Sequence, residues 1–218
     1  MSLHYDDTER GIFLRRVNRF VAEVRTDSGV STVHVRNTGR CTGTISPGAE
    51  VSLQRSTDPA RKTAYTLIAV NTPEYGWVNL DSLAPNKMAT EWLKTQGFMD
   101  IRPEQRFGSS RIDFMAVRGG ENWLIEVKGC TLAENGTGLF PDSPTDRGAK
   151  HLRELSAAAG QGFRPAIAFV IMLRGVERVV PNSTIDPQFA EEFRKALTSG
   201  VQVFFIPCRC TDSDVFLK

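Results

Sequence analysis

Apolar and polar positions fall into two regimes along the chain. From Arg10 to Leu80 the apolar residues come in short runs with no helix-period stripe. The runs predict strands at Phe20–Arg25, Thr32–Arg36, Glu50–Gln54, Ala64–Val70 and Gly76–Leu80. Turn signals separate them: Asp27-Ser28-Gly29, Asn37-Thr38-Gly39, Ser46-Pro47-Gly48 and Asp58-Pro59. Short strands at this spacing suggest a small barrel, OB-like in type.

The pattern changes after Leu80. Ser82 to Gln96 predicts a helix, with Ser82 as cap, Pro85 in the first turn and Gly97 past the end. Three strands follow, at Pro103–Phe107, Arg111–Arg118 and Asn122–Cys130, and then a glycine-rich loop from Thr131 to Asp142. Ser143-Pro144 opens a second helix that ends near Gly160. The unbroken apolar run Ala166–Leu173 reads as a buried parallel strand. Asp186-Pro187 opens a helix through Ser199, and Val201–Ile206 is the last predicted strand. The expected fold class is α/β (α+β): an N-terminal OB-like barrel over 1–81, then a domain of order α-β-β-β-α-β-α-β on a mixed sheet over 82–218, whose first six elements are α-β-β-β-α-β.

Composition adds limits. Among 218 residues, 40% are hydrophobic and 24% charged, which excludes a disordered chain. No apolar stretch reaches the roughly 18 residues of a membrane span, and Met1–Arg10 lacks the apolar region of a secretory signal. Cys41, Cys130, Cys208 and Cys210 lack zinc-ligand spacing with His4, His34 or His151, so reduced structural thiols in a cytoplasmic protein are expected. The overall charge of +2 is nearly balanced, but Arg10–Lys62 holds ten basic and four acidic residues, a net of +6. That window makes a polyanion a candidate partner of the barrel.

Candidate chemistry lies in the three-strand run. Gly119-Gly120 is a two-residue hairpin signal, which opposes Arg118 to Glu121, Asp113 to Glu126 and Arg111 to Lys128. With Gly108-Ser109 as the preceding loop, Glu104 opposes Asp113. Alternation then brings Glu104, Asp113, Glu126 and Lys128 out on one face, while Ile112, Phe114, Ile125 and Val127 point to the other. Two carboxylates about 5 Å apart repel by roughly 3 kcal/mol at an effective dielectric of 20. Lys128 and Arg111 offset part of this, and Mg²⁺ or Mn²⁺ would offset more. A solvated charge ladder would use the same residue types, and a one-residue slip would turn Asp113 away. With a metal on Asp113 and Glu126 and with Lys128 beside it, the chemistry indicated is phosphodiester hydrolysis. Phosphate-loop, nucleophile-elbow and H-E-x-x-H motifs are absent.

Asp113 followed by Glu126-Val127-Lys128, with an acid upstream, resembles the PD-(D/E)xK nuclease superfamily, and so does the α-β-β-β-α-β order. More specifically, the chain resembles the sugar fermentation stimulation protein A family. The residues that carry this are Asn37-Thr38-Gly39, Arg106-Phe107-Gly108, Ser110-Arg111-Ile112-Asp113-Phe114, Ile125-Glu126-Val127-Lys128, Thr131-Leu132-Ala133-Glu134-Asn135-Gly136, Phe140-Pro141-Asp142 and the run from Asp146 to Leu155. The resemblance implies an OB-like and a nuclease-like domain, DNA binding with little sequence preference, and a regulatory link to sugar (maltose) utilisation. It also implies a helix glutamate at the metal site, where Glu91 and Glu104 compete as the extra acid. The alternative reading is a metal-dependent nuclease acting on DNA or RNA.

Further candidates for phosphate contact are Arg15, Arg16, Arg19, Arg36 and Arg40 on the barrel, and Arg111, Arg147, Lys150 and His151 near the second helix. Phe20, Trp77, Trp92 and Trp123 are expected in the core. Glu134–Gly138 is expected to be a mobile loop beside the site.

Overall fold

The computed structural model describes residues 2–37, 39–41 and 43–218. The first seven strands are β1 (Ser2–His4), β2 (Thr8–Asn18), β3 (Val21–Thr26), β4 (Gly29–Val35), β5 (Glu50–Arg55), β6 (Tyr65–Thr72) and β7 (Gly76–Asn79). Strands β4-β3-β2-β5-β6 run in that order, and a parallel β4–β6 pairing closes them into a five-stranded barrel. Alternation fills it: Ala22, Val24, Val33, Leu53 and Leu67 are essentially inaccessible.

Three sequence expectations change here. The barrel includes β2, an 11-residue strand that the periodicity does not predict. Irregularities between Phe13 and Arg15 and between Arg16 and Asn18 interrupt its two-residue period, and bulges hide a strand in that way. In turn β7 hydrogen-bonds to β6 outside the closure. Nor does the barrel begin at the N-terminus, because β1 pairs with the last strand of the other sheet.

The remaining elements are α1 (Ala84–Thr95), β8 (Met99–Phe107), β9 (Ser110–Arg118), β10 (Glu121–Cys130), β11 (Leu132–Glu134), β12 (Thr137–Phe140), α2 (Asp146–Ala159), β13 (Arg164–Ile171), β14 (Val179–Pro181), α3 (Pro187–Thr198), β15 (Gln202–Cys210) and β16 (Asp214–Leu217). A seven-stranded mixed sheet has the order β1-β16-β15-β13-β10-β9-β8. Its centre, β10, β13 and β15, is parallel. Strand β13 is buried from Pro165 to Ile171, as its unbroken apolar run predicts. Phe169 anchors an aromatic cluster with Phe140, Phe193 and Phe205. Helix α1 packs on β10 and β13, and α2 packs on β9, β10, β13 and α3.

Local signals shift by a residue or two. Ser82 does not cap α1; its hydroxyl donates to the Arg36 carbonyl at 2.7 Å. Thr145, not Ser143, caps α2, accepting from the Gly148 N–H at 3.0 Å. Asp186 caps α3 as expected. The glycine-rich stretch is not a loop: β11 and β12 form a hairpin turned at Asn135-Gly136, both with positive φ, and β14 extends it. The last strand is β16 rather than β15.

A buried ion pair anchors the end of the first domain, and hydrogen bonds tie the barrel to the second. Arg36 forms an ion pair at 3.0 Å with Asp81, whose side chain is 2% exposed, and Tyr5 donates to the same carboxylate. Cys41 N–H donates to Asp142, and the Thr44 hydroxyl to the Thr131 carbonyl. Of the Asn37-Thr38-Gly39 turn, Thr38 lies outside the described residues. Cys41 takes positive φ, and Gly39 serves close approach: a Cβ there would sit 2.5 Å from Asp142. All four cysteines are free. Burial pushes the Cys41 thiol up to about 11 and Cys130 up to about 12. Among the described residues no helix is long and apolar enough to cross a membrane.

Candidate functional site

The β9–β10 hairpin sets the site. Gly119 and Gly120 both take positive φ, and the ladder runs from Arg118–Glu121 to Phe114–Ile125, the register the two-glycine turn predicts. The β9–β10 ladder stops one step short of Asp113 and Glu126, while the pairing of β10 with β13 on its other side continues to Cys130. There the Asp113 carboxylate takes over from the backbone: Oδ2 accepts the Val127 N–H at 2.8 Å, and Oδ1 accepts Asn86 Nδ2 of α1 at 2.9 Å.

Glu126 is held from the other helix. It is 2% exposed. Its Oε1 accepts Lys128 Nζ at 2.5 Å and the Nδ1 of His151, which α2 carries. Its Oε2 is buried with no hydrogen-bond partner. Arg147 Nε donates to His151 Nε2 at 3.4 Å. A guanidinium has donors only, so Nε2 offers its lone pair and the ring proton sits on Nδ1, facing Glu126. His151 therefore fixes the Glu126 carboxylate with one oxygen occupied and the other left for a ligand.

The two acids are driven apart in proton affinity. Burial, and then the neighbouring Glu126 charge, push the Asp113 carboxyl above the ordinary carboxylate range. Burial also works upward on Glu126, but Lys128 and His151 outweigh it and hold that group below its ordinary value. Glu126 is thus the standing anion of the pair. A hard divalent cation fits this donor set, because an unpartnered buried carboxylate oxygen beside a second, partly compensated carboxylate is what such an ion relieves. Asp113 and Glu126 would hold it with water completing the shell. Among the described residues no group of three His, Cys, Asp or Glu side chains is assembled as a metal site.

Other predicted residues stand elsewhere. Glu104 leaves the row: its φ is +53°, its carboxylate pairs with Arg111 at 3.1 Å, and its side chain is 68% exposed. Its neighbours keep the expected register, with Pro103 opposite Phe114 and Gln105 opposite Ile112, so the deviation is local. Glu91 pairs with Lys94 at 2.6 Å. What α1 supplies to the pair is Asn86, missed in the sequence because an acid was sought there. The amide is one turn before Glu91 and nearer the helix start.

The basic candidates divide. Arg111, Arg147 and Lys150 line an open depression of about 450 Å³ with Ser109 and Arg153. His151 borders it but is 3% exposed and engaged with Glu126, so it is a positioning residue rather than a phosphate ligand. On the barrel, Arg15 pairs with Glu23 at 2.8 Å. Arg36 is committed to Asp81. Arg16 makes five hydrogen bonds to main-chain carbonyls, of Asn18, Arg19, Asn37, Gly39 and Arg40. Arg19 and Arg40 are exposed and in no ion pair among the described residues. Phe20, expected in the core, is 49% exposed. Trp123 is core, packed on Phe98 and Phe204.

A closed OB-type barrel joined to an α/β unit on a seven-stranded mixed sheet, with an aspartate and a Glu-x-Lys on adjacent strands, defines a class of two-part proteins. Within it, the model of the "SfsA N-terminal OB domain" matches residues 14–80, and that of the "Sugar fermentation stimulation protein RE domain" matches residues 83–214. The sugar fermentation stimulation protein homolog of Ruminiclostridium cellulolyticum is 39% identical over 210 residues, spanning 94% of this chain and 92% of its own. The homolog of Clostridium perfringens is 42% identical over 215 residues, spanning 95% and 93%. The solved structure of Pyrococcus furiosus SfsA in complex with Ca²⁺ superposes with a TM-score of 0.88 at 28% identity, over 99% of this chain and 95% of that one. The chain belongs to the sugar fermentation stimulation protein family.

Proposed function

We propose that this protein binds DNA through backbone phosphates with little sequence preference, and that Mg²⁺ or Mn²⁺ joins that contact at Asp113 and Glu126. The observation that carries this reading is Glu126 Oε2, a buried carboxylate oxygen without a partner. The Pyrococcus furiosus relative was solved with Ca²⁺, another hard, oxygen-seeking ion, which supports the choice of cation. Arg147 and Lys150, in the depression bordered by His151, would serve as phosphate contacts, Arg111 would join them by exchanging its exposed Glu104 pair for phosphate, and Arg19 and Arg40 would extend the basic surface on the barrel. In this division, residues 1–81 grip the nucleic acid and 82–218 carry the metal site. The effect on sugar utilisation named for the family would follow from that binding.

A second reading, phosphodiester hydrolysis, is favoured by Lys128, whose ammonium lies 2.5 Å from Glu126 and is 16% exposed. A bound divalent cation supplies Lewis-acid polarisation and a water of lowered pKa. Lys128 would stabilise charge developing on the phosphate, while His151 keeps Glu126 from rotating out of place.

The test is a thermal melt with and without Mn²⁺, beside binding and cleavage assays on DNA and RNA. At free metal 100 times its Kd the folded state gains about 2.7 kcal/mol. No metal-dependent shift would remove the metal site. A shift without cleavage of any substrate would remove the second reading and leave the first.

A further inference from the structure

Resting on the DNA-binding reading above, we propose that the strand this protein takes is single. It reaches the acid pair along a trough that starts at the exposed Phe20 of the barrel and runs through the cleft between the domains.

The first observation is depth. Glu126 is 2% exposed and its free oxygen is buried, while Lys128 is 16% exposed. A stiff duplex carries its phosphates on the outside of a wide cylinder and cannot follow a recess of this kind. A single strand can splay its bases and thread a groove.

The second is continuity. An outer groove of about 560 Å³ is walled by Arg19 and Arg40 of the barrel and by Ser143 and Pro144 before α2. An inner cleft of about 280 Å³ shares Arg19, Gly39, Ser143 and Pro144 with it. The inner cleft is also lined by Asn86 and Val127, the two groups that hold the Asp113 carboxylate. The two grooves therefore lead from Arg19 to the groups that hold Asp113, while the acids themselves line neither groove.

The third is the chemistry beside Arg19, which walls both grooves; Phe20 lines neither but sits against that guanidinium. Phe20 is 49% exposed, and the Arg19 guanidinium lies 5.9 Å from its ring centre. An aromatic face beside a free guanidinium suits a base and its phosphate together, and it tolerates any sequence because every base has a π-face. The platform is also pre-organised. Arg16 clamps the Arg19 and Asn37 carbonyls at 2.6 Å each, the Phe20 N–H donates to Asn18 Oδ1 at 2.9 Å, and the Phe20 carbonyl accepts the Val35 N–H at 2.7 Å. A rigid platform loses little entropy when a strand lands on it.

The experiment measures fluorescence anisotropy of a labelled oligothymidylate, an oligouridylate and a blunt DNA duplex of equal length, with the full chain. The oligothymidylate should bind more tightly than the duplex. Phe20→Ala, an exposed change that leaves the barrel core untouched, should weaken single-strand binding about fivefold to a hundredfold, and Phe20→Trp should restore it. Duplex affinity should be indifferent to both. A duplex bound as tightly as the single strand, or an unchanged affinity in Phe20→Ala, would overturn the trough and leave the DNA-binding reading standing. Failure to bind any DNA would overturn both. Preference for oligouridylate would keep the trough and replace DNA by RNA.

Discussion

The barrel and the acid pair use charge in opposite ways. The barrel window is rich in arginine, yet most of that charge is spent internally. Arg36 neutralises buried Asp81, Arg15 pairs with Glu23, and Arg16 ties a loop together through five carbonyls. The second domain brings just two acids together at its site, but burial leaves one oxygen of Glu126 without a partner. A count of charges measures potential partners. Capacity to bind is set by which charges the fold leaves unpaired, and by how far it removes them from water.

The largest expected effect separates a structural arginine from a surface one. Arg36→Ala strands the Asp81 carboxylate in the interior and should lower stability by about 3–5 kcal/mol in urea unfolding. Arg15→Ala breaks an exposed pair and should stay within about 1 kcal/mol. Equal losses would erase the distinction between the two pairs.

Next comes the acid pair. Asp113→Asn should lose most of the roughly 2.7 kcal/mol that saturating Mn²⁺ confers, without loss of metal-free stability. The sign with pH follows from the upward shift of Asp113. The folded state holds this proton more tightly than the unfolded chain does. Its ionisation therefore takes stability away as pH rises from the ordinary aspartate value, near 3.9, through the raised one. Metal-free melts of wild type and Asp113→Asn should converge below that range and diverge above it, with the asparagine form ahead. Parallel curves would mean that Asp113 is not strained by its surroundings.

The positioning role of His151 predicts a smaller change. His151→Ala should weaken Mn²⁺ binding about tenfold by calorimetry, in the range typical of groups that orient a ligand. His151→Asn, which keeps a donor where Nδ1 stands, should recover most of it. Wild-type affinity in the alanine variant would show that Glu126 needs no such hold.

Smallest is the salt response of DNA binding. Arg19→Ala and Arg40→Ala should each flatten the log–log slope by about 0.7–0.9, and Arg15→Ala should leave it unchanged. A flattened slope in Arg15→Ala would mean that the Glu23 pair opens for phosphate.

Much of this was legible in the chain because it is local. Gly119-Gly120 demands a two-residue turn, and strand alternation then dictates the register of β9 and β10, so the approach of Asp113 to Glu126 follows from residues close in sequence. Proline and aspartate at the start of α3, and the unbroken apolar run of β13, announce themselves in the same way. Strand β2 stayed hidden because its irregular pairing with β3 breaks the alternation that marks a strand.

What tertiary structure decided is long-range. Arg36 meets Asp81 across 45 positions, His151 meets Glu126 across 25, and Asn86 meets Asp113 across 27. No periodicity encodes such pairings, since they depend on where separate elements pack. Positive φ at Glu104 turned one acid out of the predicted row, and the helix that was to contribute Glu91 contributes Asn86 instead. The sequence by itself determined the two folds and the opposed acid strands, because turns and alternation act over a few residues. Which arginines stay free, which carboxylate oxygen lacks a partner and where the cleft runs were decided by packing, because burial and pairing are properties of the assembled molecule.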